Sequence, residues 1–313
     1  MAIIRGRKIL SHIKQSQDHT KYGGVVPEHA ARLHSAQLSN IVRKALGCID
    51  TPEIDAIAAT IGPGLLGSLI VGSSFGKSLA FALGKPFIAV NHIKSHVLVA
   101  RMVHEIEFPL FAILASGGHC KLFVVNNHDD FTVLGETKDD AIGEVFDKVA
   151  VMLGMEYPGG MHVERCAANG DSRRFSFPKP FWKKKHANMS FSGLKNAVRL
   201  CILENGVEAR DDICASFQRC VGDVLEDRIS QLQDLPKTWV FGGGVASNRY
   251  LCERVAEYAR RRGCELLTIP QDLCTDNGVM IAWAGHERMC ADFTSNNNKA
   301  FVGDSLDTSI YPS

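Results

Sequence analysis

Two segments of the chain repeat one order: an apolar run, a glycine turn, then a long helix-compatible stretch. The first is Ile54-Asp-Ala-Ile-Ala-Ala-Thr-Ile61, Gly62-Pro-Gly64 and Leu65 to Leu83. The second is Lys237-Thr-Trp-Val-Phe241, Gly242-Gly-Gly244 and Asn248 to Arg262. A third glycine turn, Ser116-Gly-Gly-His-Cys120, joins the strand-like runs Leu110–Ala115 and Lys121–Val125 as a hairpin. Phe87–Asn91 and Phe131–Leu134 read as further strands, and 92–104, 139–155 and 278–290 as helices. Strands alternating with helices define an α/β protein.

The second half therefore runs hairpin, third strand, helix, then strand, glycine turn, helix. The first half has the later part of that order but opens directly on Ala2-Ile-Ile4, Gly6 and Lys8-Ile-Leu10. These match only the second strand and the start of the third. Internal duplication thus predicts two lobes, 1–108 and 109–313, the first strand and turn of the N-terminal lobe being missing. The missing hairpin is expected at an edge of the N-terminal sheet, leaving Ala2-Ile-Ile4 without a partner strand. A helical insertion is expected over about 160–235, with a loop rich in Phe, Pro and Lys at 175–186 and helices at 196–204 and 213–232.

At 313 residues, 45% apolar and 22% charged, the chain has ample material for about two packed cores. Lys plus Arg number 35 against 34 Asp plus Glu, a net charge of +1. That excludes a nucleic-acid grip built on bulk charge and leaves local patches such as Trp182-Lys-Lys-Lys-His186. The ten cysteines never form a Cys-x-x-Cys pair, which reads as buried thiols in a reducing compartment. The uncharged stretch 56–76 resembles a membrane span in length, but Gly62-Pro-Gly64 splits it, so a buried strand and helix are expected and no membrane. The apolar run within residues 1–8 is too short for a signal peptide.

Backbone N–H groups at glycine turns and helix starts hold phosphate, so three such turns in one α/β chain point to a nucleotide. Gly72-Ser-Ser-Phe-Gly-Lys-Ser78 is not a phosphate-binding P-loop, because Val71 stands where that pattern needs glycine. His92 and His96 are four apart and share one helix face, a spacing suited to two metal ligands and also met by chance. Ile93 follows His92 where a zinc protease needs its glutamate, which removes peptide hydrolysis by that route. Asp276, in Cys274-Thr-Asp-Asn-Gly278, either completes a His-His-Asp site or caps the helix that follows. Asp147 is either a ribose acceptor or a solvated helix-face acid.

The motifs carrying these residues, in order, are Tyr22-Gly-Gly-Val-Val-Pro-Glu-His-Ala-Ala-Arg-Leu-His34, Gly62-Pro-Gly64, His92-x-x-x-His96, Ser116-Gly-Gly-His119 and Phe146-Asp-Lys148. Tyr157-Pro-Gly-Gly160, Ser190-Phe-Ser-Gly-Leu-Lys195, Gly243-Gly-Val-Ala-Ser-Asn248 and Cys274-Thr-Asp-Asn-Gly278 follow. Together they resemble the TsaD family, the tRNA threonylcarbamoyladenosine transferases once described as glycoprotein endopeptidases. The resemblance implies an actin-like ATPase (ASKHA) fold of two duplicated lobes with a nucleotide crevice. It implies transfer of the threonylcarbamoyl group of threonylcarbamoyl-adenylate to the adenosine beside the anticodon of tRNAs reading A-starting codons, with release of AMP. By position it makes His92, His96 and Asp276 metal ligands with a part in catalysis. Leu114, Ala115, Ser116, Gly117, Gly118, Asp147, Gly160 and Asn248 then surround the adenylate.

One divalent metal ion per subunit, iron or zinc, is implied, with ATP as a second candidate crevice ligand. The implied partners are tRNA, an enzyme that makes the adenylate, and either a second copy, as in the mitochondrial type, or bacterial TsaB/TsaE-like proteins. The mitochondrial matrix is the expected compartment and the bacterial cytoplasm the alternative. Family members begin with a strand and a Glu-Thr-Ser-Cys-Asp-Glu-Thr-like turn not found here; Cys120 and Met161-His162 are smaller departures. The competing readings are an ATP-dependent kinase or ATPase on the same fold and a non-catalytic truncated partner protein.

Overall fold

The computed structural model describes residues 1–17, 26–47 and 53–294. Residues 22–25, which open the first family motif, lie outside them. Contacts divide the chain into one unit of Met1–Val103 with Asp276–Ser313 and a second of His104–Thr275.

In the first unit, β1 (Ala2–Arg5) and β2 (Lys8–His12) pair antiparallel around a tight turn at Gly6. Helix α1 (Pro27–Leu46) follows, its start set by proline in the first turn. β3 (Ile57–Gly62) and β4 (Phe87–Asn91) form a parallel pair joined through α2 (Leu66–Leu83). Small residues let α2 lie close on that pair: a Cβ on Gly76 would come within 3.0 Å of Phe87 and 3.2 Å of Ala59. By length and composition α2 is also apolar enough to cross a membrane. Its opposite face leaves Leu66, Ile70 and Phe81 exposed, Phe81 at 90%. Helix α3 (His92–Val103) begins directly from β4, and α10 (Gly278–Thr294) packs on α3, β1, β3 and β4.

The second unit holds β5 (Leu110–Ala115), β6 (Cys120–Val125), β7 (Phe131–Glu136), α4 (Ile142–Met152), α5 (Gly160–Ala167), α6 (Ser192–Asn205) and α7 (Arg210–Ser230). β8 (Thr238–Gly242), α8 (Arg249–Arg261), β9 (Glu265–Thr268) and the short α9 (Gln271–Cys274) complete it. Its five strands run in the order β7-β6-β5-β8-β9, with β6 antiparallel and β8 parallel to β5. β5 is six consecutive apolar residues, all fully buried, as a central strand covered on both faces requires. Trp239 of β8 is fully buried against Phe111 of β5, edge to face at 4.9 Å, and its indole N–H donates to Pro236 O.

The two units show the expected duplication with one correction. β1–β2 has the relation of β6–β7, and β3–β4 that of β8–β9, but the described residues hold no strand linking the two pairs. In the second unit the strand in that place, β5, is central. The helical crossover from β7 to β8 carries the chain to the far side of β5, so the first strand of the second unit is its middle, whereas an edge position was expected for its counterpart in the first. β1 and β3 are accordingly only half-buried along most of their length. The helix after residue 278, read from sequence with the second lobe, packs in the first unit. The stretch 160–235 contains α5, α6 and α7. The sequence pattern does not mark α1, α5 or β9.

Candidate functional site

His92 and His96 stand one turn apart at the start of α3. Asn91 sets that start: its Oδ1 accepts from Ile93 N–H at 2.9 Å and Lys94 N–H at 3.2 Å, as a helix N-cap does. Asp276 lies in the loop before α10, and there the cap is Asn277, whose Oδ1 accepts from Met280 N–H at 3.0 Å. Of the two readings of Asp276, capping therefore falls to its neighbour. The Asp276 carboxylate is turned instead to the imidazoles, with Oδ1 at 3.1 Å from His96 Nε2 and 3.6 Å from His92 Nε2. The two rings meet edge to face, centroids 4.7 Å apart.

Electrostatics follows from this placement. The Asp276 side chain is 77% exposed, and the hydrogen bond from His96, helped by His92 and Lys14, holds its carboxyl below the usual carboxylate range against partial desolvation by its neighbours. Burial pushes the His92 imidazole down, the nearby Asp276 charge works the other way, and His96 adds to the depression. A lowered imidazole pKa favours the neutral form that a metal ligand needs. Three candidate ligand atoms, one from each residue, all lie within 4.8 Å of one another. Metal bonds of about 2.0–2.2 Å place ligands on one ion about 3–4 Å apart; Asp276 Oδ1 already stands at 3.1 and 3.6 Å from the two imidazoles, and a small rotation of the rings closes the widest gap, so this donor set fits a divalent ion with open positions. His96 is buried and its Nδ1 has no hydrogen-bond partner, so hydrogen bonding alone leaves half of this ring's polar capacity unused.

The remaining candidates lie in the second unit: Leu114 to Gly118 and Asn248 follow the carboxyl ends of β5 and β8, where ligands bind in open α/β sheets, and Asp147 and Gly160 lie on α4 and at the start of α5. Leu114 and Ala115 are the fully buried end of β5, while Gly117 and Gly118 beyond them are exposed. Ser116 O accepts from Gly143 N–H at 3.1 Å, and a Cβ on Gly143 would fall 2.6 Å from that oxygen, so α4 can start against this turn only with glycine there. Gly243, after β8, has φ +88° and would place a Cβ 2.3 Å from Ala115 O. The chain then forms a 3-10 turn over Gly244–Ser247 that packs on β5 and α4. Asn248 is buried; its Oδ1 caps α8 through Leu251 N–H at 2.9 Å, and its amide donates to Gln218 Oε1 at 2.7 Å. Asp147, on α4, accepts from Gly159 N–H at 2.7 Å and from Gly160 N–H. Burial raises its carboxyl above the ordinary range, those two bonds oppose the rise, and Glu144 adds to it. A solvated helix-face acid would have neither bond.

Residues 8–283 match the family model described as "TsaD: tRNA N6-adenosine threonylcarbamoyltransferase". The chain belongs to the TsaD family. A relative of that name from Anaplasma marginale (strain St. Maries) is 46% identical, over 92% of this chain and 89% of its own. One from Rickettsia massiliae (strain Mtu5) is also 46% identical, over 96% and 90%, and one from Wolbachia pipientis wMel is 41% identical, over 96% and 92%. Among solved structures, full-length HypF in its phosphate- and nucleotide-bound form aligns with TM-score 0.60 at 16% identity, covering 84% of this chain. T. kodakarensis HypF aligns at 0.62 and 14% identity, covering 82% of this chain. This chain spans less than half of those proteins, 42% and 44%, and the likeness is one of fold, the actin-like fold.

Some of the residues that build these sites carry a sequence signal of their own and others carry none. Asn91 and Asn277 are short polar residues just ahead of helices, a recognisable cap signature. Gly143 in the first turn of α4 marks a close backbone approach. Gln218, which accepts from the Asn248 amide, and Glu164, which accepts from Arg249 N–H at 2.7 Å, lie on remote helices and carry no such signal.

Proposed function

We propose that the chain is a tRNA N6-adenosine threonylcarbamoyltransferase that takes threonylcarbamoyl-adenylate and the adenosine beside the anticodon in tRNAs reading A-starting codons. The N6 amine attacks the carbamoyl carbon, the bond from that carbon to the phosphate oxygen breaks, AMP leaves, and the amine proton passes to water. The observation that carries this reading is the convergence of His92 and His96 with Asp276, 180 residues beyond His96, in a chain matched to the family over residues 8–283.

His92, His96 and Asp276 are the residues that would hold a divalent ion, iron or zinc. Such an ion, when bound, would orient the threonyl end and offset developing charge. In the Ser116-Gly117-Gly118 turn the Ser116 N–H is taken by His119 O, and the exposed Gly117 and Gly118 offer backbone N–H groups to the adenylate phosphate, while Asp147 and Gly160 lie at a second turn suited to its ribose. Leu114, Ala115 and Asn248 support these turns from the core. An ATP-type nucleotide would take the same turns.

An enzyme that makes the adenylate is a required partner. The exposed apolar face of α2 supports a second copy or a TsaB/TsaE-like protein as another. The mitochondrial matrix is the proposed compartment, testable by fractionation. Incubating the chain with divalent metal, threonylcarbamoyl-adenylate and an unmodified tRNA transcript should yield threonylcarbamoyladenosine by mass spectrometry, with one AMP per modified base. AMP release without modified tRNA would reject the reading.

A further inference from the structure

We propose that residues 178–186 form a preshaped RNA-binding loop that takes phosphates and one unstacked base of the tRNA; this rests on the transferase reading above. The loop presents Lys183, Lys184 and Lys185 together, all exposed, and none of their ammonium groups has a carboxylate partner among the described residues. Between them and Pro180 stand two aromatic rings at the surface, Phe181 at 36% and Trp182 at 41% exposure. With a net charge of only +1 for the whole chain, three adjacent unpaired ammonium groups are a local feature and not part of a general basic surface. Cations beside an exposed indole are the combination single-stranded nucleic acid selects, phosphates taking the charge and a base stacking on the ring.

The loop is also held in one shape, which a solvated turn does not need. Phe181 and Lys183 both have φ of 57°, the left-handed region that non-glycine residues avoid. Arg228, on α7 with no exposed side-chain surface, supplies the restraint. Its Nη1 donates to His186 O at 2.7 Å and Lys184 O at 3.3 Å, while Nε and Nη2 donate to the Asp227 carboxylate. The same carboxylate accepts from Lys183 N–H at 3.1 and 3.3 Å. At the near end, Lys179 pairs with Asp223 at 2.6 Å and stands 4.5 Å over the Trp182 ring, leaving the other face of the indole for a ligand. Phe181 closes the loop edge to face on His186 at 4.9 Å. A buried guanidinium given over to loop carbonyls, under two strained residues, is an arrangement that fixes where three lysines and an indole point. An acidic protein surface would satisfy the lysines but gives no use for the exposed indole.

The test uses the full chain and an unmodified tRNA transcript, with Kd measured by fluorescence anisotropy across a salt series. The triple variant K183Q/K184Q/K185Q should lower the slope of log K against log salt by about 2–3 and weaken binding about 100-fold near 0.1 M salt. W182A should weaken binding about 10-fold with the slope unchanged. All four side chains are exposed, so unchanged circular dichroism is expected and verifies folding. Wild-type Kd and slope in the triple variant would overturn the proposal, and would leave the lysines to an acidic protein partner. The KM for tRNA in the transfer assay should rise in parallel. Wild type that turns over while the variant's KM is unchanged defeats this inference alone. Wild type that makes no threonylcarbamoyladenosine defeats the transferase reading.

Discussion

Replacing Asp147 by alanine removes the acceptor for Gly159 N–H, bonded at 2.7 Å, and for Gly160 N–H. Gly159 is the N-cap of α5 and has no cap bond of its own, so Asp147 does from a neighbouring helix what a capping side chain does locally. Loss of such an acceptor costs about 1 kcal/mol. In a unit of this size that is a fall in Tm of about 2–4 °C. Asp147→Asn keeps an oxygen in the same place and should restore most of the Tm. The carboxyl is held above the ordinary range by burial, so the folded state binds more protons than the unfolded state between the two pKa values. Its contribution to stability therefore falls as pH rises from about 3.9 through the raised value. The stability of wild type relative to Asp147→Asn should thus be greater at pH 4 than at pH 7. Differential scanning calorimetry of the three proteins at both values reads all of this. An alanine variant with wild-type Tm would refute the turn-holding role, and a pH-independent difference would refute the burial argument. In adenylate titrations alanine should weaken binding by about 1.5–3 kcal/mol, the range for a hydrogen bond to a charged group. Unchanged affinity would confine Asp147 to the turn.

Three further outcomes are expected. His96→Ala and Asp276→Asn should each lose bound metal in elemental analysis, because the two remaining ligands hold an ion poorly; metal content equal to wild type would remove the assignment. Gly243→Ala, with φ +88° and a Cβ 2.3 Å from Ala115 O, should lower the Tm by several degrees through about 1–3 kcal/mol of backbone strain plus the overlap; a wild-type melting curve would show that the turn has room. A six-residue apolar strand supplied between β1 and β3, antiparallel to the first and parallel to the second, should raise both Tm and transfer. Equal values with and without it would show that the two pairs function unbridged.

Local physics made most elements legible. Uninterrupted apolar runs such as Leu110–Ala115 mark buried strands, and Gly84 in a left-handed conformation stops α2 where the pattern stops. The four-residue spacing of His92 and His96 puts both on one face of α3 whatever packs around it, since helix geometry is a property of the chain alone. What the chain alone could not decide was which of two adjacent polar residues caps α10. Asp276 and Asn277 are both competent caps, and the choice depends on α3 bringing two imidazoles to one of them. Asp147 is a similar case, its acceptor role depending on where α5 begins 13 residues later in space, not in sequence pattern. Strand order is likewise tertiary: segments 2–12 and 57–91 each specify a pair, and in the second unit only packing puts β5, the first strand in sequence, at the centre of five. Periodicity and capping are read within a few residues along the chain. Ligand convergence and sheet order come from packing between segments distant in sequence, 180 residues apart in the His96–Asp276 contact, and such packing has no local signature.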